Sequence, residues 1–281
     1  VTSDNCGDLS GIDGVKGTVS YDPDNKTLTL EKATLNTNVP CIDSGIDGLT
    51  IKVSGTNELN AVDAAAIVDA PTTITGGGTL NVKSEENVAI CAHKTNLTIK
   101  DCIVNAKGKY GIAGFDGTKE KLLISNATVT AEGGDGSICD FKEITLKDCA
   151  ITQPAGAVVD NSQGAVVLNG EKVTSEVKIV QTKYDLWINS TQVTSDNCGD
   201  LSAIDDVEGT VSYDPDSKTL TLEGAKLTAS SCIWSKIDGL TIKVSGANEL
   251  NAEKSAAIAV YAPTTLTGGG TLNAKSEEDC G

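Results

Sequence analysis

Residues 70–104, APTTITGGGTLNVKSEENVAICAHKTNLTIKDCIV, decide the fold. They hold three short β-rich pieces separated by polar turns: Thr72-Thr73-Ile74, then Thr79-Leu80-Asn81-Val82, then Ala89-Ile90. The cycle then starts again with Leu97-Thr98-Ile99 and Cys102-Ile103-Val104-Asn105. Apolar residues alternate with polar ones inside each piece, which is the period of a strand with one face buried. No stretch shows the 3.6-residue period of an amphipathic helix.

The cycle extends outward in both directions. Apolar-Thr-apolar triplets or close variants stand at Leu28-Thr29-Leu30, Leu49-Thr50-Ile51, Thr72-Thr73-Ile74, Leu97-Thr98-Ile99, Leu122-Leu123-Ile124 and Ile144-Thr145-Leu146, with starts 21, 23, 25, 25 and 22 residues apart. A coil of about 23 residues cannot bury its apolar face alone, but coils stacked in register share one continuous core. The expected fold is therefore all-β: a right-handed parallel β-helix with three strands per coil. A leucine-rich repeat has a similar period but requires a Leu/Asn consensus and usually a helical segment, neither of which is present. The segment from Gly17 to Leu30 reads differently, because Tyr-Asp-Pro-Asp-Asn-Lys joins two alternating strands as a hairpin. That hairpin is expected to cap or edge each unit, since solenoid ends need covering.

A larger repeat is superimposed on the coils. VTSDNCGDLS at Val1–Ser10 recurs without change at Val193–Ser202. GTVSYDPDNKTLTLE from Gly17 recurs, with one change, from Gly209, IDGLTIKVSGTNELNA from Ile46 recurs from Ile237, and the segment from Ala70 recurs from Ala262. This divides the chain into a first unit, residues 1–183, and a second, partial unit, residues 184–281, both expected to be cut from a longer tandem array. The second copy is preceded by YDLWINSTQ from Tyr184, whose counterpart before Val1 is missing from the sequence.

Composition bounds the function. The 281 residues carry a net charge of -17 and contain no arginine, and only 3% of them are aromatic. Such acidity repels phosphate backbones and anionic lipid, so nucleic acid is not an expected partner. No run of 18 apolar residues exists, so no membrane insertion is expected. No cofactor is expected either; calcium is the one ion the acidity would suit, and no D-x-[DN]-x-[DN]-G loop is present. The nine cysteines include no CxxC and recur at matching positions, as in Lys-Asp-Cys at Cys102 and Cys149 or after Ile at Cys91 and Cys139. They read as small buried residues stacked along the solenoid, ahead of structural disulfides and of metal or redox sites, and leave the redox compartment open.

Candidate sites follow from what faces outward. The middle residues Thr29, Thr50, Thr73, Thr98 and Thr145 are expected to form one outward column, with Glu31, Lys52, Thr75, Lys100, Ser125 and Lys147 in the next. A flat threonine column invites an ice-binding reading, but the mixed charges beside it spoil a regular surface. The candidate ligand contacts are Thr50, Lys52, Thr73, Thr98 and Lys100 on this face, together with Trp234 as an aromatic platform. Trp187 is expected to pack between units, and Tyr21 and Tyr213 to be structural parts of the hairpins. Asp101, Asp116, Asp135, Asp140 and Asp148 stand in Gly-rich or Lys-Asp turns and read as turn formers. His93, the sole histidine, reads as a surface turn residue without an orienting acid nearby in sequence. The Gly76-Gly77-Gly78 run lacks the Lys-Ser/Thr of a phosphate loop and reads as a tight turn. No catalytic, cofactor or metal residues are assigned.

The phrases YDLWINSTQVTSDN, GTVSYDPDSKTLTLEGA, DGLTIKVSGANELNA and TTLTGGGTLNAKS resemble the repeat units of large surface or secreted proteins of gut bacteria, described as adhesin-like or carbohydrate-binding-domain proteins. The resemblance covers nearly the whole chain and implies a pectin-lyase-like β-helix in an extracellular or cell-surface setting. Three functions are then open: a non-catalytic adhesin-like module with a rigid extended face; a carbohydrate-binding module for a polysaccharide; and a polysaccharide lyase or hydrolase. The expected partner is a polysaccharide or a host or bacterial surface protein.

Overall fold

The computed structural model describes residues 1–195 and 197–277. They are all-β, with no helix, and form parallel stacked coils, a parallel β-helix. The chain divides into two compact units, Val1–Gln181 and Thr182–Gly281.

In the first unit the three strands of each coil form three ladders. Ladder one stacks the first half of Thr27–Thr37 on Leu49–Ser54, Thr72–Thr75, Asn96–Lys100, Lys121–Ser125 and Glu143–Lys147, all parallel. Ladder two takes the second half of Thr27–Thr37, then Thr56–Ala61, Thr79–Ser84 and the first halves of Ile103–Gly114 and Thr128–Cys139. Ladder three stacks Ile42–Ser44, Ala66–Val68, Val88–Ala92 and the second halves of the same two long strands. The expected hairpin is present: Val15–Asp22 pairs antiparallel with Thr27–Thr37 along the outer edge of the first coil.

Alternation puts one apolar side chain per coil at each inward position, and register stacks like upon like. Ile51, Ile74, Ile99 and Ile124 follow one another through the core, each almost wholly buried. Such columns bring identical side chains into contact at the strand spacing. Some inward positions are polar, among them Asn57, Thr72 and Ser84. Asn57 is buried where ladder one bends into ladder two. Its Oδ1 accepts the Ala33 N–H at 2.9 Å, and its Nδ2 donates to the carbonyls of Ser54 and Thr79 at 3.1 and 3.2 Å. The bend would otherwise strand these backbone groups away from water. Asn248 makes the same set with Ala225, Ser245 and Thr271 in the second unit.

Two features depart from a simple stack. Val177–Gln181 inserts antiparallel between Thr128–Cys139 and Cys149–Gln153, ending the parallel order of ladder two. A small antiparallel sheet, Val158–Asp160, Ala165–Leu168 and Glu171–Lys172, places Ala165 and Val167 in a second apolar cluster with Val88, Cys91, Ala113 and Cys139. Ladder three is thus apolar on both faces there, and all five residues of Val88–Ala92 are buried.

The second unit repeats the plan. Val207–Asp214 and Thr219–Ala229 form the hairpin. Ladder one continues with Leu240–Ser245 and Thr264–Gly268, and ladder two with Ala247–Ala252 and Thr271–Ser276. Ladder three differs. Beside Ile233–Ser235 and Ile258–Val260 lies an antiparallel strand, Lys183–Ile188, which turns back into Thr191–Thr194.

Candidate functional site

The threonine column is real, but its first member is not the expected one. Thr50 is aligned with Thr27, and Thr29 is aligned with Lys52. The column runs Thr27, Thr50, Thr73, Thr98, Leu123, Thr145, and the next one begins Thr29, Lys52, Thr75, so Glu31 is not its first member. A slip of two residues preserves which side chains face out, so the alternation alone could not detect it. Thr50, Lys52, Thr73, Thr98 and Lys100 therefore share one face of ladder one. Trp234 belongs to another cluster, in the second unit.

The neighbouring face, on ladder two, carries cross-coil amide bonds. Asn60 donates to Asn36 at 3.0 Å, Asn81 to Glu58 at 2.6 Å and Asn105 to Asn81 at 2.8 Å. Asn36, Asn60, Lys83, Glu85 and Asp13 line an open polar groove of about 580 Å³ at one end of this face.

The acidic candidates take up turn roles. Asp101, Asp140 and Asp148 have left-handed φ values of 53°, 60° and 53°, a conformation that short polar side chains tolerate. Hydrogen bonds from Thr118 hold Asp116 below the usual carboxylate range. Asp135 pairs with Lys109 at 3.3 Å, and Asp140 with Lys172 at 3.1 Å. Gly76 and Gly77 turn with φ of 122° and 78°, and a Cβ at Gly76 would meet the Val53 carbonyl at 2.5 Å.

His93 does have an acid partner, supplied by stacking rather than by local sequence. It follows Val88–Ala92, and the alignment of Val68 with Ala92 brings its Nδ1 into hydrogen-bond contact with the Asp69 carboxylate one coil away. Its ring meets Phe115 edge-on at 4.4 Å. Among the described residues no three His, Cys, Asp or Glu side chains converge to hold a metal ion.

The eight described cysteines are free thiols. Cys91 and Cys139 share a ladder-three column with Ala113 between them. Burial pushes the Cys91 thiol up to about 11 and those of Cys102 and Cys139 up to about 12, which keeps them protonated and poorly nucleophilic. Cys280 lies outside the described residues.

Three aromatic residues of the second unit meet on one outer face. Trp187 lies opposite Trp234 in the antiparallel pair of Lys183–Ile188 with Ile233–Ser235, and their ring centroids are 4.2 Å apart at 78°. Tyr261 leans on Trp234 at 5.5 Å and 54°. Lys236 sets its ammonium 4.8 Å from the Trp234 ring, a cation–π contact that holds the indole in place. Leu186, Ile188 and Ile233 beside the indoles are fully buried in the core, so alternation turns both indoles outward. Tyr261 is 67% exposed. Trp187 packs on Trp234 within its own unit, not between units as its sequence position suggests. The three rings and the ammonium form a ledge, angular rather than flat.

No family model, curated protein or solved structure matches the chain.

The ledge has no counterpart in the first unit, where Asp43 and Gly45 occupy the places of Trp234 and Lys236. Its presence was readable in part. Leu186-Trp187-Ile188 and Ile233-Trp234-Ser235 each centre a tryptophan between inward residues, which already marks both as outward. The antiparallel strand that brings them together was not visible. Among the described residues no helix is long and apolar enough to cross a membrane.

Proposed function

We propose that the chain is a non-catalytic β-helical binding module of the adhesin-like, carbohydrate-binding kind, working outside the cell or at its surface, and that it holds a polysaccharide chain on the Trp187–Trp234–Tyr261 ledge. The observation that carries this reading is the ledge itself. In a chain with only 3% aromatic residues, three of them meet at one outward position beside a lysine. The C–H bonds of a sugar's apolar face carry partial positive charge and match the negative faces of indole and phenol rings, while the ring hydroxyls stay in water. Rings set at 78° and 54° to one another cradle a single twisted chain better than a flat crystalline surface. The net charge of -17 works against polyanionic glycans, and so a neutral polysaccharide is the favoured ligand. The resemblance of the repeats to gut-bacterial surface proteins supports the same reading.

The test is a calorimetric screen of the chain against neutral and acidic polysaccharides, with product analysis for reducing and unsaturated ends. Binding to a neutral glycan without product, weakened at least tenfold by Trp234→Ala, is the expected outcome. Binding unaffected by Trp234→Ala and Tyr261→Ala, or release of product, would sink the proposal.

A second reading rests on a different observation. The cross-coil amides of ladder two and the threonine and lysine columns of ladder one give a rigid, polar, extended face in the first unit, suited to adhesion to a surface protein. It would be favoured if Thr73→Glu abolished binding to such a protein while Trp234→Ala left it intact.

A further inference from the structure

The two units share their hairpin sequence but not the covering of its end. In the second unit Lys183–Ile188 pairs with Ile233–Ser235 and turns back through Asn189 and Ser190 into Thr191–Thr194. Tyr184, Leu186, Ile188 and Val193 enter the core. Tyr184 meets Tyr213 edge-on at 5.2 Å. Backbone and side-chain bonds fix the strand in place. The Asn189 N–H donates to the Cys232 carbonyl at 2.9 Å, the Lys236 N–H donates to the Asp185 carbonyl at 2.9 Å, and Asn189 Nδ2 donates to the carbonyls of Asp205 and Asp206, each at 3.0 Å.

The first unit has every receiving group. Ile42–Ser44, the counterpart of Ile233–Ser235, pairs only on its Ala66–Val68 side among the described residues. Beside that edge opens an apolar cavity of about 560 Å³, lined among others by Val15, Tyr21, Leu28, Leu35, Cys41 and Ile42. Matched residues record the difference. Tyr21, Leu28 and Cys41 are half-buried, whereas Tyr213, Leu220 and Cys232 are buried at 4%, 0% and 0% exposure. The sequences around them are nearly the same, so the added strand pair accounts for the contrast.

We infer that this cavity and its strand edge are a docking site for a β-hairpin of the Tyr-Asp-Leu-Trp-Ile…Val pattern of residues 184–193, supplied by a further copy of that segment. The hairpin adds a strand antiparallel to Ile42–Ser44 and inserts a tyrosine, a leucine and an isoleucine into the cavity, and Tyr21 receives the ring that Tyr213 receives from Tyr184. Strand addition satisfies the open edge, and the alternate side chains give specificity. This inference does not depend on the carbohydrate reading.

The natural junction gives the test, because Gln192 runs directly into Val193, the counterpart of Val1. Fusing YDLWINSTQ in front of Val1 of the full chain reproduces that junction. Calorimetry should then show the first unit's unfolding midpoint raised by about 5 °C or more, and amide exchange at Ile42–Ser44 slowed at least tenfold. The same nine residues in scrambled order should do neither. An unchanged midpoint with unprotected Ile42–Ser44 amides would overturn the inference, as would an equal gain from the scrambled sequence. As a check in trans, a synthetic peptide of residues 183–194 should slow exchange at Ile42–Ser44 of the unfused chain, and failure to do so at millimolar peptide would count against a docking site.

Discussion

Tyr21 and Tyr213 stand at the same point of the same hairpin sequence, yet Tyr213 is buried against Tyr184 while Tyr21 is half-exposed at the mouth of a cavity. What separates them is one strand pair, Lys183–Ile188 and Thr191–Thr194. That pair does two things at once in the second unit. Its inward residues close the core, and its one large outward residue, Trp187, completes the aromatic ledge. A β-helix end is therefore not fixed by the coil that forms it. It is fixed by whatever strand is laid across it, and the covering strand can carry function on its outer face.

The sharpest way to break the comparison is to spoil the covering strand from within. Leu186→Ala removes a fully buried side chain and should destabilise the second unit by about 2–5 kcal/mol. The first unit, which has no such strand, should melt unchanged in calorimetry. Equal losses in both units would mean that the two do not unfold as separate bodies.

A second change tests what the units share. Asn57→Ala deletes four hydrogen bonds and Asn248→Ala three at the same bend, and both leave buried backbone groups unpaired. Each should cost about 2–3 kcal/mol, with the same size in both units. A much smaller cost at either position, measured by chemical denaturation, would show that water replaces the amide there.

Alkaline titration probes the tyrosine pair, with a smaller effect. Burial raises Tyr184 from its ordinary value of 10 to about 12 and pushes Tyr213 up as well. Below pH 10 both states keep the phenols protonated and stability is at its full value. Above pH 10 the unfolded chain ionises first, so the second unit loses stability as pH rises toward 12, by about 2 kcal/mol through Tyr184 alone. Tyr184→Phe should remove part of that slope. The smallest expected effect is His93→Gln. The half-exposed pair with Asp69 contributes under about 1 kcal/mol to the first unit, and glycan binding should be unaffected.

The sequence pattern carried the coil, the three strands per turn and the hairpin, because a buried inward face forces alternation and stacking forces repetition. It could not carry register in the first coil. Leu28-Thr29-Leu30 looks like Leu49-Thr50-Ile51, and a slip of two residues leaves every face unchanged, so only the turn at Lys26 and Thr27 sets the true alignment. Strand direction was equally hidden. Val177–Gln181 and Lys183–Ile188 alternate like any other strand, yet both run antiparallel, and direction is decided by connections far along the chain. The candidate site suffered from the same blindness. Trp234 was recognisable as an outward aromatic, but its partner Trp187 lies 47 residues earlier and was joined to it by an antiparallel pairing. The contact of His93 with Asp69 is a consequence of stacking at 24 residues' separation, which no local motif announces.

Both tryptophans of the chain, Trp187 and Trp234, lie in the ledge. Intrinsic tryptophan fluorescence is therefore a reporter for that site alone, and the most direct measurement is a fluorescence titration of the intact chain with soluble neutral polysaccharides. The account predicts a saturable change in emission that Tyr261→Ala weakens at least tenfold in apparent affinity. Glycan binding demonstrated by calorimetry with no change in tryptophan emission would contradict it, because the ligand would then sit elsewhere on the β-helix.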